Sequence, residues 1–100
     1  MLSSLVNYGD RYLFLSGGTD SDFLPLDSVE KYDISENKWT AAPKLNQERY
    51  NHSGCSLNDS TYVFCGRAEG YLLNSIERLN VKALLNCKDE EGISWQIISI

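Results

Sequence analysis

The stretch SVEKYDI (residues 28–34) returns as SIERLNV (residues 75–81), with serine, an aliphatic residue, glutamate and a base in the same order. A second pair agrees with it: LFLSG (residues 13–17) is answered by YVFCG (residues 62–66), with one residue of shift. Taking Gly17 with Gly66, Ser28 with Ser75 and Trp39 with Trp95, the offsets are 49, 47 and 56 residues, so order is kept while spacing drifts. A self-repeat of about 50 residues marks a supersecondary unit that buries its apolar face against a neighbouring copy.

Each copy of the repeat divides into four short strands. Residues 5–8 and 11–16, joined by the turn pair Gly9 and Asp10, alternate as a hairpin. Loop composition follows, with Pro25 unable to donate to a ladder, before Val29, Lys31 and Asp33 alternate against Glu30, Tyr32 and Ile34. A turn at Ser35, Glu36 and Asn37 leads into residues 38–42 around Trp39, which Pro43 ends. The second copy runs through residues 51–57, a turn at 58–60, then 61–66, 75–81 and 94–99 around Trp95. The expected fold is therefore all-β, two four-stranded antiparallel sheets in a single region over residues 1–100, divided as 1–48 and 49–100. The last connection is nine residues longer the second time, and Asn86 and Gly92 weaken its helical content, so residues 82–93 are expected to form a plain loop.

Antiparallel order also sorts the loops. Loops 17–27, 43–50 and 66–74 belong on one rim, and 82–93 on the other.

With 42% hydrophobic and 23% charged residues the composition is that of an ordinary globular domain. A net charge of −5 without a basic run excludes a nucleic-acid backbone as partner, because such binding needs clustered Lys and Arg to release counterions. The first ten residues carry no positive region, and their apolar stretch is too short for a signal peptide or a membrane span, so a cytoplasmic setting is expected. Cys55, Cys65 and Cys87 lack metal-ligand spacing, and a hairpin turning at Asn58 and Asp59 sets the first two out of register. They are expected to be reduced, buried thiols.

With these residues laid out, the chain resembles the kelch family of β-propellers. The layout that carries the resemblance is Arg49 and His52 leading a first strand, paired glycines at Gly17 and Gly18 closing a second, S-V-E-x-Y-D over residues 28–33 on a third, and Trp39 and Trp95 on the fourth. WD-type blades would show Gly-His and Trp-Asp signatures at a shorter period. The second copy departs by offering Arg67 after Gly66 and Leu79 in place of Tyr32, and the first lacks the Arg and His. The resemblance implies kelch-type blades of an incomplete β-propeller, with each tryptophan packing between blades and His52 in a structural hydrogen bond.

Catalytic signatures are missing: one histidine supplies no ligand cluster, and no G-x-S-x-G, H-E-x-x-H or phosphate loop occurs. No catalytic residue, metal site or cofactor is assigned. Asp20, Asp22, Glu69 and the run Asp89, Glu90 and Glu91 read as solvated loops, since the spacing of a calcium loop is absent. Phe23, Arg49, Asn51, Arg67 and Tyr71 are the candidate binding residues, on the shared rim, where arginine and aromatics suit a protein or peptide partner. The expected function is a non-enzymatic protein-interaction scaffold. A piece of a propeller enzyme acting on sugars is the alternative, as is a truncated product without function.

Propellers close with about four to eight blades, so two blades leave half of their packing faces open. A fragment of a longer chain is the favoured expectation, ahead of self-association or a decayed reading frame.

Overall fold

The computed structural model describes residues 3–87 and 92–98; the acidic run Asp89, Glu90 and Glu91, and Ser99 of the last expected strand, lie outside these. Strands β1 (Ser4–Tyr8), β2 (Tyr12–Ser16), β3 (Val29–Asp33) and β4 (Lys38–Ala42) form one antiparallel sheet in chain order. The second sheet follows the same plan with β5 (Ser53–Leu57), β6 (Ser60–Phe64), β9 (Ile76–Asn80) and β10 (Gln96–Ile98). Between β6 and β9, β7 (Arg67–Ala68) pairs with β8 (Tyr71–Leu72) as a small separate ladder. The two-quartet, all-β reading therefore holds.

Pairing places Ser16 opposite Val29 in the first sheet and Phe64 opposite Ile76 in the second. Counting outward from those pairs, Gly17 and Gly18 correspond to Cys65 and Gly66, one residue earlier than the glycine alignment suggests. The backbone agrees: φ is 61° and 94° at the glycines, 62° and 88° at Cys65 and Gly66. Their hydrogen bonds agree too, Gly17 donating to Ser28 O at 2.9 Å and Cys65 to Ser75 O at 3.0 Å. The second copy thus departs at the first glycine, where a cysteine takes the left-handed conformation, and Arg67 lies beyond the pair.

The core lies between the sheets. Phe14 and Val29 from the first meet Val63 and Leu79 from the second, with Leu45, Val81, Leu84 and Trp95 completing the cluster. Leu45 belongs to the crossover that runs between β4 and β5 as a strap. Pro43 O accepts the Trp95 indole N–H at 2.8 Å, and the Asn46 side chain donates to Trp95 O at 2.7 Å, so the strap is stitched to the far edge of the second sheet.

Three expectations need correction. Residues 82–93 are not a plain loop at their start: α1 (Val81–Leu85) forms there, capped by the Asn80 side chain accepting from Ala83 N and anchored by buried Val81 and Leu84. Cys55 and Cys65 are free and out of register, Cys55 facing Tyr62, but both are exposed, because Cys55 lies on the outer face of its sheet and Cys65 at the sheet end. Trp95 packs between the sheets at 3% exposure, whereas Trp39 is 47% exposed and leans on Tyr32, ring centroids 4.9 Å apart. Trp39 occupies the face of the first sheet that turns away from the core.

Candidate functional site

Two loops and the strap meet at one end of the molecule. Gly18 N donates to Arg49 O at 2.9 Å and Arg49 N to Leu26 O at 3.1 Å, which fixes the loop after β2 to the strap. The next strap residue, Tyr50, exchanges two backbone bonds of 2.9 Å with Arg67, which fixes the loop after β6. Successive strap residues hold one loop each, so the loop roots stand about one residue apart along the strap. The opposite end carries α1, whose Val81 and Lys82 amides donate to Asp59 O beside the β5–β6 turn.

Each rim loop is a miniature hairpin with an apolar tip. In the first, Thr19 bridges Pro25, and the Asp20 carboxylate accepts from the amides of Asp22 at 2.8 Å and Leu24 at 3.0 Å. That carboxylate is spent on an Asx-type turn. The turn holds Phe23 at φ 62° and leaves its ring 71% exposed, with Leu24 also exposed beside it. In the second, Arg67 and Ala68 pair with Leu72 and Tyr71 across Glu69 and Gly70, and Tyr71 and Leu72 are both exposed. Large apolar residues held at loop tips by backbone bonds cannot be there for the core.

Of the five candidate residues, Phe23, Arg67 and Tyr71 reach the surface on this rim, and Asn51 is exposed on the strap at φ 55°. Arg49 does not: its side chain is fully buried, donating to Cys65 O and Ser75 O at 3.1 Å, to Ser75 Oγ at 3.0 Å and to Glu77 Oε2 at 2.8 Å. It ties the strap to the second sheet and is unavailable to a partner. Leu24 and Leu72 were not singled out from the sequence, though apolar residues inside the turn-rich runs DFLPL and EGYLL were the available signal.

His52 sits beneath the rim. Its Nε2 lies 2.9 Å from Ser16 Oγ, both residues are buried, and the ring packs where Gly17 and Gly66 lack side chains. A Cβ on Gly17 would come within 2.4 Å of Arg49 O and 2.8 Å of His52 Cε1; one on Gly66 would meet His52 Cβ at 2.7 Å. Burial, helped by the Arg49 charge, pushes the imidazole down to about 4. Although a serine beside a histidine is half of a nucleophilic triad, Nδ1 has no carboxylate to orient it among the described residues. The pair serves as a hydrogen-bonded spacer between the strap and the first sheet.

Among the described residues no group of three or more His, Cys, Asp or Glu side chains is gathered to hold a metal ion, and no helix is long and apolar enough to cross a membrane. Residues 4–46 match the family model described as the kelch motif. That span runs from the start of β1 through the first sheet to Asn46 of the strap.

Proposed function

We propose that this chain, with its kelch motif over residues 4–46 followed by a second sheet of the same plan, is a non-enzymatic protein-interaction module whose loop rim docks a polypeptide segment. One observation carries the reading: two backbone-stiffened hairpins, held side by side by the strap, present Phe23, Leu24, Tyr71 and Leu72 to solvent with the Arg67 side chain beside them. Rigid aromatic and arginine side chains are the residue types that dominate binding energy, because they bury much area at little ordering cost. The acidic residues Asp22 and Glu69 near the tips favour a segment with basic as well as apolar side chains. A cytoplasmic setting is part of this reading, and it suits the free, exposed thiols of Cys55 and Cys65.

The test is a selection of displayed linear peptides on the wild-type chain, followed by affinity measurement on a Phe23→Ala, Arg67→Ala, Tyr71→Ala triple variant checked for folding by circular dichroism. Selected peptides are expected to lose affinity at least tenfold on the variant. Peptides that bind both proteins equally would refute the rim as the docking surface.

A further inference from the structure

Each sheet packs only one of its faces, and the repeat states what the other two are shaped for. In the first sheet Val6, Phe14 and Val29 enter the core, leaving Leu5, Leu13, Leu15, Tyr32 and Trp39 on the opposite, leading face. In the second sheet Val63, Glu77 and Leu79 enter, leaving Cys55, Leu57, Tyr62, Phe64 and Ile76 around a shallow hollow of about 310 Å³ on the trailing face. Pairing makes Leu15 beside Glu30 the equivalent of Val63 beside Glu77, and Tyr62 beside Cys55 the equivalent of Phe14 beside Val6. The leading face is therefore the counterpart of the packed face of sheet two, and the trailing face that of sheet one. Both halves of the contact that joins the sheets are displayed outward on opposite sides of one chain.

We propose that the occupant of the trailing face is the leading face of a second copy of this chain, docked head to tail. Such heterologous contacts propagate and close into a ring when the rotation allows, so two, three or four copies would give about four to eight blades. Side-chain size supports this occupant. Inside the chain, Gly54 makes room for Val6, a Cβ there standing only 2.6 Å from Val6 Cγ2. Between copies the relation is inverted: Leu5, the equivalent of Gly54, meets Cys55 in the place of Val6, so the larger residue changes sides while the pair still interlocks. Charge supports it as well, since among the strand residues the leading face carries only the acid Glu30 and the trailing face only the base Arg78. The exposure to be removed is large, with Leu5 at 58%, Trp39 at 47% and Leu57 at 60%.

The proposal is independent of the rim reading, because none of these residues lies on the rim loops. Sedimentation velocity of the 100-residue chain across roughly 5–200 µM is expected to show assembly in whole multiples of 11.3 kDa, burying about a standard interface per contact. Leu15→Glu on the leading face and Phe64→Glu on the trailing face each block assembly alone. Mixed one to one they give a dimer that grows no further, because each supplies the face the other lacks. Should Leu15→Glu fail to fold by circular dichroism, Trp39→Lys at an exposed position replaces it. A wild-type chain that stays at 11.3 kDa throughout shows that something other than a second copy covers these faces, and overturns the proposal. So does a mixture that remains monomeric, or an assembly indifferent to both substitutions.

Discussion

Arg49 Nη2 lies 2.8 Å from Glu77 Oε2, with both side chains wholly shut off from solvent. The glutamate is held from two further directions, its oxygens accepting from the strap amides of Asn46 at 2.6 Å and Gln47 at 3.1 Å. A buried carboxylate is tolerated because every contact is a charge-assisted donor, and the strap is fixed because the carboxylate is its anchor. The repeat equivalent, Glu30, is exposed on the leading face, so one sequence position is a structural anchor in one blade and a surface charge in the other.

Arg49→Met should accordingly destabilise by about 3–5 kcal/mol, since it strands a buried negative charge. Glu30→Gln should stay within about 0.5 kcal/mol, as expected of a surface change. Urea titrations compare the two directly. Equal losses would mean that the Arg49–Glu77 link contributes no more than a surface charge.

Cys65 holds a left-handed backbone at φ 62°, a conformation costing a non-glycine residue about 1 kcal/mol. Cys65→Gly should therefore raise stability, by somewhat less than that figure because glycine loosens the unfolded chain. At the equivalent Gly17 the opposite holds. Gly17→Ala adds the same backbone strain and drives a methyl into Arg49 O and His52, for a loss of about 1–3 kcal/mol. Thermal melts of both variants should move in opposite directions.

His52 sets the response to mild acid. It titrates near 6.5 when unfolded and at about 4 in the fold, chiefly because burial disfavours the cation. Between those values the unfolded chain binds a proton that the fold refuses, so stability is full above about 6.5 and falls as pH drops toward 4. Asp33 acts in a lower window. Hydrogen bonds from Arg11 at 2.9 and 3.1 Å hold its carboxyl below the ordinary 3.8, and what that adds is lost only as pH falls through and below that value. In His52→Gln, which retains a partner for Ser16 without a titrating ring, the urea midpoint should change little between pH 6.5 and 4. A midpoint that still falls as steeply as in the wild type would reject His52 as the source.

The sheet plan was legible in the sequence because alternation and turn residues are local. Lys38–Ala42 was delimited to the residue, and a β5–β6 register that leaves Cys55 and Cys65 unpaired followed from the turn at Asn58 and Asp59 alone. The rim was legible for a topological reason, since antiparallel order fixes which loops share an end. What was not legible depended on contacts between distant positions. The burial of Arg49 requires Glu77, 28 residues away; the exposure of Cys55 and Trp39 depends on which face turns inward. The short helix carried a local signal in the Asn80 cap and the spacing of Val81, Leu84 and Leu85, which Asn86 and Gly92 outweighed in a propensity reading.

The two tryptophans occupy the same repeat position in unlike surroundings. Trp95 is 3% exposed with its indole N–H on Pro43 O, so Trp95→Phe removes a buried hydrogen bond and some packing volume, at a cost of about 1–3 kcal/mol. Trp39→Phe trims a half-exposed ring against Tyr32 and should change stability by less than about 1 kcal/mol. Each variant also isolates one fluorophore. Emission from Trp95 in Trp39→Phe should be that of a buried indole and indifferent to concentration. Emission from Trp39 in Trp95→Phe should be that of a wet indole when dilute and shift to shorter wavelength as the chain is concentrated, because Trp39 lies on the leading face that a second copy would cover. A Trp39 signal that stays that of a wet indole at every concentration would separate the sound packing of Trp95 from any contact made by the outer face of the first sheet.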